Sequence, residues 1–139
     1  MINKNREPIR QEDGLGCAVA STAFVLDISY QEALKLFEDG ERRVREEANF
    51  YCPEIANILN DRKLNYSWKK LDGSNNNVIN KDFSIVFIKS SSKYPFGHFL
   101  VRYHGKWMDP WINFPDNQII AGFRNELPGE PTYSVFPKI

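Results

Sequence analysis

The chain has 139 residues, 42% of them hydrophobic and 14% aromatic, and its 18 basic residues are matched by 18 acidic ones. That length suits one domain, and the apolar content can fill a core that hides roughly two thirds of the unfolded surface. The even charge, with Arg42-Arg43 answered at once by Glu46-Glu47, gives no footing to nucleic acid, a polyanionic substrate or a membrane surface as partner.

In chain order, the opening Met1-Ile2-Asn3-Lys4-Asn5-Arg6 has no apolar centre and does not read as a secretory signal. Nowhere do about 18 apolar residues run together, as a membrane span requires. A cytoplasmic protein is therefore expected, with export by a signal-independent route left open. The two cysteines, Cys17 and Cys52, then read as free thiols of a reducing compartment, a disulfide between them being the alternative that goes with export.

Residues 17–27 are small and apolar almost all round, which predicts a buried helix. A second helix begins at Ser29, because Ser29-Tyr30-Gln31-Glu32 has the capping-box form. Ala33, Leu34 and Phe37 make its apolar stripe, and Gly40 fits its stop. Pro53 opens a third helix with Ile55, Ile58 and Leu59 on one face. Strands are expected over 65–71, 83–89 and 98–103, with 106–109 returning from the third and 133–136 closing the set. Residues 73–77 and 90–92 read as loops. No repeat or linker divides the chain, so residues 1–139 form a single α+β domain with N-terminal helices packed on a C-terminal antiparallel sheet.

Chemistry is suggested first by Gln11-Glu12-Asp13-Gly14-Leu15-Gly16-Cys17. The glycines permit a tight path that delivers a side chain to the mouth of a helix. There the positive end of the helix dipole favours a thiolate, the nucleophilic form of cysteine. Cys17 is either such a nucleophile or simply a small buried residue of an alanine-rich helix. Acyl transfer also needs donors for the developing oxyanion, and the Cys17 amide with the Gln11 side chain can supply them. Standing alone, Gln11 is an ordinary surface glutamine.

Of the two histidines, His104 lies in the polar His104-Gly105 pair, the evident turn of a hairpin, whereas His98 follows Gly97 at the start of a strand. If Tyr103 faces Lys106 across that turn, Leu100 falls opposite Asp109 and His98 opposite Trp111. His98 and Asp109 then share one face as diagonal neighbours, with Cα atoms roughly 7–8 Å apart. The carboxylate can orient the ring and stabilise its protonated form. A loop of odd length reverses this parity, and Asp109-Pro110 also fits a plain strand-ending turn. Trp107 and Trp111 flank the pair as substrate-binding, water-excluding aromatics or as ordinary core and rim residues.

Gln11, five residues, Cys17 at the head of a buried helix, and then far downstream Gly97-His98-Phe99 and Asp109-Pro110, resemble the C39-type peptidases of the papain-like superfamily. The resemblance covers most of the chain from Gln11 to Pro110. It implies a papain-like fold and a cysteine hydrolase that cleaves a peptide or amide bond without a cofactor or metal. Under it, Cys17 attacks, His98 is the base, Asp109 orients His98, and Gln11 helps form the oxyanion hole. Its partner is a peptide or protein substrate. The chain departs from the family in having Ala18 where glycine often follows the cysteine. No transporter is expected to accompany it, so the double-glycine leader cut by the bacteriocin exporters' peptidase domains is not carried over.

The same machinery suits an acyltransferase, a deamidase or the toxic module of a bacterial effector, the last implying a cognate inhibitor or immunity protein. A non-catalytic peptide-binding domain is the rival from another class. Cys17, Cys52, His98 and Asp109 lack the spacing of a zinc site, and no phosphate-binding loop is present. Cys52, set before Pro53, reads as a structural thiol.

Overall fold

In the computed structural model, residues 6–47 and 49–138 are described. The first five residues, part of the segment read as no secretory signal, lie outside the described residues. Helix α1 (Cys17–Leu26) forms where expected, and Ala18 to Val25 are all buried. A helix that is apolar on every side cannot remain at the surface, so it lies across the sheet. It ends at Asp27, which takes a left-handed φ of 59°, while Ile28 N–H reaches back to the Ala23 carbonyl at 3.1 Å. Arg6 caps the same end, donating to the carbonyls of Phe24 and Val25 and lying 4.6 Å from the centre of the Phe83 ring. The chain leading to Cys17 is thereby tied down before it reaches the site.

Helix α2 (Tyr30–Leu34) has the expected capping box: Ser29 Oγ accepts from Glu32 N–H at 3.0 Å, and Glu32 accepts from Ser29 N–H at 2.9 Å. Such caps contribute about 1 kcal/mol. The helix stops well before Gly40, because Leu36 and Phe37 turn their amides to carbonyls three residues back and tighten the chain. Gly40 instead begins α3 (Gly40–Glu46), an element the sequence did not announce. A Cβ there would meet the Leu34 carbonyl at 2.7 Å, so glycine serves close packing rather than a helix stop. Arg43 of α3 forms a forked pair with Glu54 at 2.8 and 2.7 Å and lies 4.4 Å from the centre of the Phe50 ring. This fastens the chain entering α4 (Cys52–Asp61), which has Pro53 in its first turn and buries Ile55 and Leu59.

The strands β1 (Tyr66–Lys70), β2 (Ile85–Ile88), β3 (His98–Tyr103), β4 (Lys106–Asp109), β5 (Gly122–Arg124) and β6 (Pro131–Pro137) form one antiparallel sheet. Their order is β1-β6-β2-β3-β4-β5. The molecule is thus α+β. Strand β5 and a short 3-10 turn over Asn76–Asn80 were not expected, and β2 begins late because Phe83 has a left-handed φ of 69°. The β3–β4 turn falls at His104-Gly105, both with positive φ, and Tyr103 pairs with Lys106.

This register sorts the side chains. Phe99, Val101, Tyr103 and Met108 enter the core under the helices, where the Phe24 ring meets Tyr103 edge-on at 5.2 Å. Leu100 and Trp107 enter a second core on the other face with Val86, Ile88 and Tyr94. His98 and Asp109 have the parity of Leu100 and Trp107, at the end of the hairpin away from the His104-Gly105 turn.

Candidate functional site

Cys17 is the first residue of α1, and its amide is among the N–H groups that a helix leaves unsatisfied at its head. The preceding Gly16 is required: a Cβ would lie 2.0 Å from the Tyr30 hydroxyl. That hydroxyl donates to Asp13 at 3.0 Å, and the Asp13 carbonyl accepts from Gly16 N–H at 3.1 Å. The loop is further held by Leu15 N–H on the Val44 carbonyl at 2.9 Å. Gly14, by contrast, has open space beside it.

His98 is delivered by a second required glycine. Gly97 has φ +75°, and a Cβ there would sit 2.2 Å from the Phe87 ring and 2.8 Å from the Ile88 carbonyl. The room kept by Gly97 is thus for Phe87 rather than for the imidazole. His98 is buried, with Tyr94 stacked flat against it at 4.7 Å. His98 Nε2 lies 2.6 Å from Asp109 Oδ1. An ionised carboxylate only accepts, so Nε2 carries the hydrogen and Nδ1 is the nitrogen left for Cys17, to which the ring is also hydrogen-bonded.

Asp109 is wholly buried and multiply bonded. Its Oδ1 also accepts from Trp111 N–H at 2.9 Å, and its Oδ2 from Arg124 Nη1 at 3.2 Å. Burial works against its charge, but the bonds to His98, Trp111 and Arg124 prevail and hold the carboxyl below its ordinary range. Burial likewise opposes charge on His98, yet Asp109 first and Cys17 second outweigh it and raise the ring from 6.5 to about 9. Its two partners thus favour the protonated imidazole against the effect of burial. Asp109 also ends its strand, so it is both bonded to the His98 ring and a strand-ending residue.

Gln11 reaches the same place, fixed by its N–H on the Pro110 carbonyl at 3.3 Å. Its side-chain amide donates to the Asp13 carbonyl at 2.9 Å and to the Gly14 carbonyl at 3.3 Å, while its buried Oε1 has no partner. One amide hydrogen is firmly held and the other only by a long contact. Gln11 is buried, not the surface residue it would have been if standing alone.

Gln11, Cys17 and His98 line one cavity of about 720 Å³. Trp111 lines it as well, its indole nitrogen donating to the Asp116 carbonyl at 2.8 Å. Trp107 does not: it is buried in the second core, stacked under Arg102 at 4.9 Å, because strand parity turns it inward. Cys52, also free, opens into the cavity, but burial pushes its thiol up to about 12. Among the described residues, no cluster of three or more His, Cys, Asp or Glu is placed to hold a metal ion, and no helix is long and apolar enough to cross a membrane.

Two contributors were missed in the sequence. Arg124 and Tyr94 lie in segments with no local signal, and only the pairing of β4 with β5 and the folding back of the 90–97 loop bring them to the pair. No protein-family model and no curated protein matches the chain.

Proposed function

We propose that this chain is a papain-like, C39-resembling cysteine hydrolase that cleaves a peptide or amide bond through an acyl-enzyme on Cys17. The observation that carries this is the helix-head sulfur of Cys17 bonded to the His98 imidazole at one cavity, with the buried Asp109 carboxylate 2.6 Å behind the ring. Each is of the residue type that acyl transfer to sulfur uses, as nucleophile, base and orienter.

The Cys17 sulfur, paired with His98-H⁺, adds to the carbonyl carbon, and the carbonyl π electrons move to oxygen. The amide of Cys17 donates to that oxyanion. Gln11 gives it the amide hydrogen otherwise held by the long Gly14 contact. As the intermediate collapses, the C–N bond breaks and the leaving nitrogen takes the proton from His98. A thioester on Cys17 remains. Water then loses a proton to His98 as it attacks, the C–S bond breaks, and the acid departs. Asp109 stays ionised throughout, fixing the tautomer that presents Nδ1 to sulfur. An amine in place of water gives acyl transfer, and a carboxamide substrate gives deamidation by the same steps.

An activated ester tests this. With p-nitrophenyl acetate, the protein should release a burst of about one equivalent of nitrophenolate and carry an acetyl group on Cys17 by mass spectrometry. The Cys17→Ala variant should show neither. A burst that survives in that variant rules the mechanism out.

A further inference from the structure

The cavity beside Cys17 has a composition that names its occupant. Ten of its nineteen lining residues are Phe, Tyr or Trp, and none is Asp, Glu, Lys or Arg. Its volume, about 720 Å³, falls in the roughly 300–1,000 Å³ range of sites that enclose a ligand. The rim is the more telling part. Among the described residues, the large apolar side chains left exposed are Tyr51, Leu64, Trp68, Phe96 and Ile120. All three aromatics of that set, Tyr51 at 62%, Trp68 at 42% and Phe96 at 65% exposure, line this one cavity.

They come from three separate elements, each fixed. Tyr51 directly precedes α4 in the segment anchored by Arg43 on Phe50, Asn49 and Glu54. Trp68 is held in β1 opposite Val135. Phe96 stands between Pro95 and the constrained Gly97. Exposed aromatics gathered from distant sequence around one opening mark a surface that a ligand covers.

Resting on the hydrolase reading above, we propose that Tyr51 and Phe96, with Trp68 farther along the same cavity, form a specificity subsite that selects an uncharged acyl donor bearing a bulky apolar, best aromatic, side chain next to the reacting carbonyl. A charged side chain entering the cavity loses its water and finds no Asp, Glu, Lys or Arg to answer it, the one charge there, on His98, being already engaged by Asp109 and Cys17, so it is disfavoured. A glycine enters freely but leaves the rim aromatics wet. The selection is read in kcat/KM, because the covering of the rings accompanies attack by the sulfur opening into the same space.

Acetylated chloromethyl ketones of phenylalanine, glycine and aspartate provide the test. Cys17 sulfur displaces chloride from each, and rates at Cys17 by mass spectrometry are divided by the rates with free glutathione. The phenylalanine reagent should be at least about tenfold faster than the other two, and Tyr51→Ser with Phe96→Ser should bring the three within about twofold. Ile120→Ser, exposed but outside the cavity, should preserve the preference. Equal normalised rates in the unmodified protein, or a preference intact in the double variant, overturn the subsite. Iodoacetamide in the same samples separates the two claims. If it alkylates Cys17 rapidly at pH 6.5 while the preference is absent, the hydrolase reading stands and only the subsite falls. If Cys17 resists every reagent, both fall.

Discussion

Two helices begin with cysteine and both open on the same cavity, yet they present different chemistry. At the head of α1, Cys17 is half-buried and hydrogen-bonded to His98, which Asp109 holds from behind at 2.6 Å. At the head of α4, Cys52 is buried, and burial is the only influence of note on its thiol, raising it to about 12. Both helices have ten residues, so their dipoles are alike. A place at a helix terminus therefore does not make a nucleophile. The difference lies in what surrounds each sulfur: an imidazole with a carboxylate behind it for one, only the packing of the apolar core for the other.

The comparison breaks most severely at Cys17 itself. Cys17→Ala should remove the nitrophenolate burst and lower turnover by at least about 10³-fold with the melting transition little changed, whereas Cys52→Ala should keep the burst and lose roughly 1–2 kcal/mol of stability through lost packing. Burst stopped-flow and denaturant titration read the two effects, and a burst lost equally in both variants removes the distinction.

Next in size is Asp109→Asn. Without the carboxylate, the larger of the two influences that raise His98 is gone and the tautomer presented to sulfur is no longer fixed, so kcat/KM should fall by roughly 10²–10⁴-fold. The pH dependence has a definite sign. His98 is raised in the folded protein from 6.5 to about 9. Its contribution to stability is therefore fully present below about 6.5 and is lost as pH rises through about 9. Activity and melting temperature should both decline above that value, and in Asp109→Asn the alkaline limb should move down by a unit or more. An unmoved limb would show that another group governs it.

Gly97→Ala attacks the delivery of the base rather than its chemistry. The new methyl group cannot share space with the Phe87 ring and the Ile88 carbonyl at φ +75°. The loss should be about 2–4 kcal/mol by chemical denaturation, with reduced labelling of Cys17 in the folded fraction. The smallest effect is expected from Arg124→Gln. Removing that cation from Asp109 lets the carboxylate act more fully on His98, so the alkaline limb should shift upward by a few tenths of a unit; a downward shift contradicts the arrangement.

How much of this was legible followed the range of the interactions. The start of α1, the capping box at Ser29 and the His104-Gly105 turn are set by neighbours in sequence, and each formed as read. The turn also fixed the parity that joins His98 to Asp109, which is why a pair eleven residues apart could be foreseen. Trp107 was placed on the right strand and left open between contact to substrate and an ordinary core position. Its parity sends it into the second core, which only the covering of that face by Tyr94, Val78 and Leu127 creates. Helix α3, strand β5 and Arg124 carry no local signature, because partners distant in sequence determine them. Gly40 misled for a related reason: a glycine demanded by close packing looks the same in sequence as one demanded by a helix stop.

The most direct test of the central claim is the rate of iodoacetamide alkylation at Cys17 and Cys52 in one folded sample from pH 5 to 9, resolved by peptide mass spectrometry. Cys17 should react readily by pH 6.5 and slow at least tenfold in His98→Ala, while Cys52 stays unlabelled until the protein unfolds. Equal, slow labelling of both cysteines, unaffected by loss of His98, would contradict the account.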